Sequence, residues 1–330
     1  MFNTALKRLT GIKFPIIQGA LGSSSTPVSD ATLVSAVSNA GGLGVLSTWN
    51  QPDRQILEEI DRVRNLTDKP FGVNVAATHS SYDFSKKAKL LADAGIRIVT
   101  TGRGDPNIPA IAILKDHGIK VMPVIATVKQ ALTLEQKGAD AVVASGCEGG
   151  GHVGSITTFT LIPQVVDAVK IPVIAAGGIG DARGFVAAMA LGACGIQMGT
   201  RFMVTRESIL PSLLKEKILR ASAEDAVVTT MRTGWPTRVL NSGFTEEWEK
   251  LNRSGASSEE LRIYRRMVFK RVRNHMEEDS IGAGQVCGML NELRSVEEII
   301  REIIENGSRI IAGLENMERS GENDRQEKGE

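Results

Sequence analysis

Short apolar, β-branched runs alternate along the first two-thirds of the chain with segments whose apolar positions recur every three or four residues. Eight such runs stand out: Pro15–Leu21, Gly42–Ser47, Phe71–Ala76, Ile96–Thr101, Lys120–Ala126, Ala141–Ser145, Pro172–Ala176 and Gly195–Phe202. Their starts lie roughly 20 to 30 residues apart, room for a strand, a loop, a helix and a second loop. Continuous rather than alternating apolarity marks strands buried on both faces, as in a parallel sheet. Between them, Ala31–Asn39, Tyr82–Ala94, Thr127–Lys137 and Ala182–Leu191 carry helical periodicity. Ser29-Asp30 and Gly41-Gly42 flank the first of these as start and stop signals. Three helices end on a near-repeated phrase, Ala94-Gly95-Ile96, Lys137-Gly138-Ala139 and Leu191-Gly192-Ala193. Each reads as a glycine stop leading into the next strand.

Eight strand–helix units in succession predict an α/β fold, a closed (β/α)8 TIM barrel over residues 1–207. An open, doubly wound sheet is the alternative. After Glu207 the pattern changes: residues 208–283 lack strand signals and hold helical stretches such as Glu259–Glu277, a smaller helical region expected over the barrel mouth. Residues 284–317 contain an amphipathic helix, Val296–Leu314, whose apolar face (Val296, Ile299, Ile300, Ile303, Ile304, Ile310, Ile311) is expected to pack back on the barrel. The charged tail 318–330 is expected to be disordered.

Composition narrows the class. At 330 residues, 42% hydrophobic and 23% charged, the chain has the profile of a soluble globular protein that needs no disulfides. Its three cysteines, Cys147, Cys194 and Cys287, share no metal-ligand spacing, so no metal is expected and a reducing, cytoplasmic setting is. The net charge of +1, without a long block of one sign, argues against nucleic acid. The amino terminus lacks the apolar core of a signal peptide, and no apolar stretch approaches the roughly 20 residues that span a bilayer.

In a barrel, chemistry sits at the C-terminal strand ends. Polar and glycine residues gather at those ends here: Gln18-Gly19-Ala20, Asn74, Thr100-Thr101-Gly102, Ser145 through His152, Ala175 through Gly178, and Gln197 through Thr200. Gly177-Gly178-Ile179-Gly180-Asp181 opens a helix, and Gly199-Thr200 lies on the neighbouring strand, so backbone N–H groups from two loops converge on one spot. That suits a dianionic phosphate; the bland reading is tight turns and close packing. His152, after three glycines, is the catalytic candidate, because imidazole exchanges protons near neutral pH. His79, His117 and His275 have no comparable setting, and His117 at a helix end suits the helix dipole. Cys147 has no evident base partner and reads as packing, while Glu148 orients the loop, contacts ligand or is solvated. The basic stretch Arg262, Arg265, Arg266, Lys270, Arg271 and Arg273 is either a solvated face or a dock for an acidic carrier or a nucleotide phosphate.

With those residues assembled, the chain resembles the nitronate monooxygenase family, which includes FMN-dependent enoyl-acyl carrier protein reductases. The matching motifs are Pro15-Ile16-Ile17-Gln18-Gly19, Ala40-Gly41-Gly42-Leu43-Gly44, Phe71-Gly72-Val73-Asn74, Glu148 through Gly154, Pro172–Ile179, Gln197–Phe202 and Ala283-Gly284-Gln285. The resemblance implies FMN at the C-terminal face of the barrel. Gln18, Gly19, Ala20 and Asn74 would line its ring and ribityl chain, and Gly177, Gly178, Gly199 and Thr200 would hold its phosphate. Ser145, Gly150 and Gln197 join the cofactor-binding set, and His152 is the catalytic histidine. Relatives often carry Gln or Glu where Ser145 stands, which puts one contact in doubt.

The resemblance implies one of two chemistries on the same flavin face: oxidation of alkyl nitronates with dioxygen to carbonyl compounds and nitrite, ranked first, or NAD(P)H-dependent reduction of an enoyl thioester, with quinone reduction as a variant. A small-molecule substrate is expected, with an acyl carrier protein and a homodimer as further partners. A flavin-binding protein without turnover is the remote third reading, against which the His152 loop argues.

Overall fold

The computed structural model describes residues 2–22, 28–49, 51–75, 83–102, 108–274 and 281–327. His79, His275 and the last residue of the third predicted strand, Ala76, lie outside them. Eight parallel strands form a closed barrel: β1 (Ile16–Gln18), β2 (Leu43–Ser47), β3 (Phe71–Val75), β4 (Ile98–Thr101), β5 (Lys120–Ile125), β6 (Val142–Ser145), β8 (Val173–Ala176) and β9 (Ile196–Met198). Ile17 of β1 pairs with Leu43 on one side and Gln197 on the other, which closes the ring and rules out the open sheet. All eight strands fall inside the eight apolar runs. A short strand between β6 and β8, β7 (Gly151–His152), belongs to a separate three-stranded sheet with β10 (Ala226–Thr229) and β11 (Thr237–Leu240).

The helices are α1 (Ala5–Thr10), α2 (Ala31–Asn39), α3 (Asp53–Leu66), α4 (Phe84–Asp93), α5 (Ile108–Asp116), α6 (Val128–Gln136), α7 (Thr158–Ala168), α8 (Ala182–Ala190), α9 (Thr200–Met203), α10 (Ser212–Arg220), α11 (Gly243–Arg253), α12 (Ser258–Asn274) and α13 (Val296–Glu327). Local chemistry sets their starts. Asp30 accepts from the Leu33 N–H at 3.1 Å, Asp83 from Lys86 at 3.0 Å and Thr127 from Gln130 at 3.2 Å. Their stops are the glycines of the repeated phrase: Gly95, Gly138 and Gly192 have φ of +70°, +88° and +93°, a region a Cβ disfavours. His117, just past α5, places Nδ1 2.8 Å from the Ile113 carbonyl, as its place at the helix end suggests.

Two apolar layers hold the barrel. Ile17, Leu43, Val45, Met122, Val143 and Ile174 are buried in one cluster, which Leu6 of α1 joins. A larger cluster joins the strands to the surrounding helices, and Ile299, Ile300, Ile303 and Ile304 of α13 belong to it. Fully burying each such side chain stabilises the fold by about 1.5–3 kcal/mol.

The structure departs from the sequence reading at two places. Region 208–283 contains β10 and β11, where no strand signal was legible; at four residues each, and with Arg238 inside β11, they are too short for a period-two pattern to register. And α13 continues to Glu327, so most of the segment expected to be disordered is helical; its Glu, Arg and Gln residues are tolerant of helix.

The eighth strand–helix unit is split. α13, not a helix directly after β9, packs on α8 and α2 and completes the outer ring. The intervening segment leaves and re-enters at one place: Thr205 bridges Arg294, the Arg206 N–H donates to the Arg294 carbonyl at 3.0 Å, and the Glu207 carboxylate accepts from the Val296 N–H at 3.1 Å.

Candidate active site

A cavity of about 460 Å³ opens at the C-terminal ends of the barrel strands. Its floor comes from the strand ends and its far wall from the inserted segment, through Arg232, Thr233, Thr237, Phe269 and Ile281. The structure brings nearly all the predicted site residues to it. Gly19, Ala20, Asn74, Ser145, Gly150, His152, Gly177, Gly178, Gln197, Gly199 and Thr200 all line the cavity.

Gln18 does not. It is fully buried, its Nε2 donates to Ser29 Oγ at 2.7 Å, and its Oε1 accepts from the Val45 N–H at 3.2 Å. Gln18 therefore braces β1 against β2, and the polar group that looked available for a ligand is consumed in holding the barrel together.

The glycine loops after β8 and β9 converge as expected, with one difference. Gly177 and Gly178 both adopt left-handed backbone, at φ +86° and +71°, which turns the chain sharply between strand and helix. Asp181, however, already accepts from the Arg183 and Gly184 N–H groups at 2.9 and 3.3 Å. Part of the first turn of α8 is thus spent on its own cap. Among the described residues, the N–H groups of Gly178, Gly199 and Thr200 enter no hydrogen bond. The Thr200 hydroxyl oxygen accepts from the Gly284 N–H at 2.9 Å, which leaves its own proton to donate.

The loop that carries His152 is fixed by its neighbours. Both Glu148 carboxylate oxygens accept from the Thr158 N–H at 2.9 Å, at the start of α7. The Thr158 hydroxyl is shared between Glu148 Oε2 and the Gly177 carbonyl, each 2.9 Å away. Glu148 thereby links the histidine loop to the glycine loop after β8, a contact that orients the loop, although it also faces the cavity. The Gly150 backbone crosses so close to the inserted segment that a Cβ there would stand 2.8 Å from the Ala283 carbonyl carbon and the Gly284 nitrogen. Beyond it, His152 pairs with Thr237 and Gly151 with Arg238 across the antiparallel β7–β11 ladder. A two-residue strand, not glycine freedom alone, holds the backbone from which the imidazole projects.

Two features of the site were not legible in sequence. Arg238, 9% exposed, donates from Nε to the Cys147 carbonyl at 2.9 Å and from Nη1 to the Ala226 carbonyl, clamping the loop from behind. Thr101, at the end of β4, has a buried hydroxyl with no hydrogen-bond partner, and the residue lines the cavity. Its neighbour Thr100 instead accepts from Asn74 Nδ2 at 2.8 Å. The far wall comes from residues after Glu207, in the region expected over the barrel mouth. Burial first, then the charge of Glu148, pushes the Cys147 thiol above its ordinary value, which disfavours the thiolate. Among the described residues no cluster of His, Cys, Asp or Glu could hold a metal ion, and no helix is long and apolar enough to cross a membrane.

A sequence profile of nitronate monooxygenases matches residues 3–83 and 75–306, nearly the whole barrel and its insertion. The chain belongs to the nitronate monooxygenase family. It is therefore an oxidoreductase, in a family of flavin-dependent enzymes. A hydroxy-methyl-oxo-octahydro-indene-carboxyl-CoA dehydrogenase of Mycobacterium tuberculosis is 35% identical, over 91% of this chain and 95% of the relative. A probable nitronate monooxygenase of Staphylococcus aureus is 36% identical, over 73% of this chain and 79% of its own. Among solved structures, FabK from Thermotoga maritima superimposes with a TM-score of 0.88 at 36% identity, covering 96% of this chain and all of that one. Members of the nitronate monooxygenase family thus include named activities on quite different molecules, and geometry must choose among them.

Proposed function

We propose that this member of the family binds FMN and reduces the carbon–carbon double bond of an enoyl thioester with NAD(P)H. The fit to FMN rests on this chain's own atoms. Gly178, Gly199 and Thr200 offer N–H and O–H donors at one side of the mouth. In the strand order of the barrel, β3 and β4 lie diametrically across from β8 and β9. The orphan Thr101 hydroxyl and Asn74 therefore wait at the far side of the same mouth, where a ligand anchored by phosphate would place its ring. Bound there, FMN would supply the two-electron relay between NAD(P)H and substrate.

The chain's residues do the rest. The cradle donors hold the dianion, and the apolar barrel ends and the inserted wall keep water from the reacting carbons. His152 polarises the thioester carbonyl or delivers a proton to the α-carbon; the reaction needs one proton in addition to the hydride that NAD(P)H supplies. Arg238 and the β7–β11 pairing keep the imidazole aimed into the cavity.

The observation that carries the thioester reading is the wall built by the insertion. Arg232, Thr233 and Phe269 of the insertion line the cavity together with His152, a wall that a small nitronate would not need. The M. tuberculosis relative, matched over almost its whole length, is named for a CoA thioester. Nitronate oxidation is the second reading, supported by the S. aureus relative's name; there the donors around His152 would hold the anionic substrate. Anaerobic mixing of the FMN-loaded protein separates the two. Bleaching of the yellow band by NAD(P)H, and its return on adding a crotonyl thioester with formation of the saturated product, is the expected result. No bleaching by NAD(P)H, together with nitrite release from a nitronate in air, would replace it by the second reading.

A further inference from the structure

We propose that the outward face of α12 is the docking surface for an acidic carrier protein that presents the thioester on a flexible arm; this rests on the thioester reading above. The helix is strongly cationic, with Arg262, Arg265, Arg266, Lys270, Arg271 and Arg273 against Glu259 and Glu260. Three of these cations are committed within the fold. Arg262 pairs with Glu259 at 2.6 Å, Arg265 donates to the Met231 carbonyl at 2.7 Å and lies over Trp248, and Arg271 lies over Phe244. Arg266 and Lys270 have no hydrogen bond or ion pair among the described residues.

Their neighbours make the pattern informative. The inward stripe of α12 is Tyr264, Val268 and Val272, packed with Trp248 and Met231. On the other side, Ile263, Arg266, Met267 and Lys270 follow the spacing i, i+3, i+4, i+7, so they form one continuous stripe. Ile263 is 56% and Met267 49% exposed. Two large apolar side chains interleaved with two cations on one stripe match a surface that meets an amphipathic acidic partner, which uses both. The stripe also sits beside the entrance: Phe269, one residue before Lys270, lines the cavity. Trp235, 72% exposed, lies on the loop between the cavity-lining Thr233 and Thr237, which the Arg265 bond to Met231 ties to α12. A carrier seated on the stripe would put the root of its arm at the mouth.

The test separates docking from turnover. Full-length protein is titrated into fluorescently labelled acyl carrier protein bearing no thioester, and anisotropy is followed. Replacing Arg266→Glu and Lys270→Glu together should raise Kd at least about tenfold, and the wild-type Kd should rise steeply with salt. Met267→Ser should weaken binding without that salt dependence changing. In turnover, the double variant should raise KM for the carrier-linked substrate and leave KM for the CoA thioester within about twofold. An unchanged carrier Kd overturns the proposal. So does an equal rise in the KM for CoA, which would make the stripe a nucleotide-phosphate site, or dissociation of a wild-type dimer by the variant, which would make it a self-contact. Carrier binding without any thioester reduction would instead sink the reduction reading and leave the docking surface standing.

Discussion

Glu148 and Thr158 are joined twice, by the backbone N–H and by the hydroxyl, and the second of these contacts is shared with the Gly177 carbonyl. One carboxylate therefore sets the spacing between the loop that aims His152 and the loop that would grip a phosphate. Glu148→Ala is expected to lower stability by about 1.5–3 kcal/mol, the range for hydrogen bonds to a charged group. It should weaken FMN binding as well, because the two loops lose their common anchor. Thermal melts with and without FMN check both effects; a destabilised variant with unaltered FMN affinity would show that the loops are positioned independently.

The backbone crossing at Gly150 has no room for a side chain. Gly150→Ala forces the inserted segment away from the histidine loop, at a cost of about 1–3 kcal/mol, and should also reduce FMN loading. Gly243→Ala, at the first position of α11 with open space around it, is the control expected to be neutral or slightly stabilising. Equal melting temperatures for the two variants would contradict the crossing.

Thr101→Val removes a buried hydroxyl that has no hydrogen-bond partner among the described residues. The FMN-free protein should be as stable as the parent or more so, since an unmade hydrogen bond is relieved. Affinity for FMN should fall by about tenfold, or roughly 1.4 kcal/mol. Fluorescence titration of FMN measures it, and a variant that is destabilised without FMN would show that the hydroxyl serves the fold.

His152→Ala should leave FMN bound with its usual stoichiometry and lower kcat by about 10²–10⁴. The flavin absorbance ratio and steady-state kinetics give the two readouts. Full turnover in the variant would remove the imidazole from the reaction.

At the start of α3, the bond from Lys87, followed by the second lysine Lys86, holds the Asp53 carboxyl below its ordinary value despite an opposing effect of burial. A depressed folded-state pKa contributes stability that is present above the unfolded value, near 3.9, and lost as pH falls through the folded one. Asp53→Asn should therefore cost on the order of 1 kcal/mol at pH 7. The gap between variant and parent should close in acid, as denaturant melts across pH 2.5–7 would reveal.

The barrel was legible because its signals are local and repeated: unbroken apolar runs, helical periodicity between them, and glycine stops such as Gly95 and Gly192. The cradle was legible for the same reason, since its glycines sit at strand ends that the runs define. What escaped depends on distant partners. Nothing around Gln18 announces that its amide will be spent on Ser29 and Val45, and nothing around Arg238 announces a strand opposite Gly151. The Thr100-Thr101-Gly102 phrase was visible at the end of β4. Which of the two hydroxyls Asn74 would satisfy, and which it would leave over, is decided only when β3 and β4 pair.

The meeting of Thr205 with Arg294 carries an implication for how such proteins diversify. Because the chain departs and returns through adjacent residues, the whole excursion is a cassette: it can be lengthened, trimmed or traded for another without disturbing the ring that would carry the flavin. Substrate range and redox machinery are then free to evolve at different speeds within a single polypeptide.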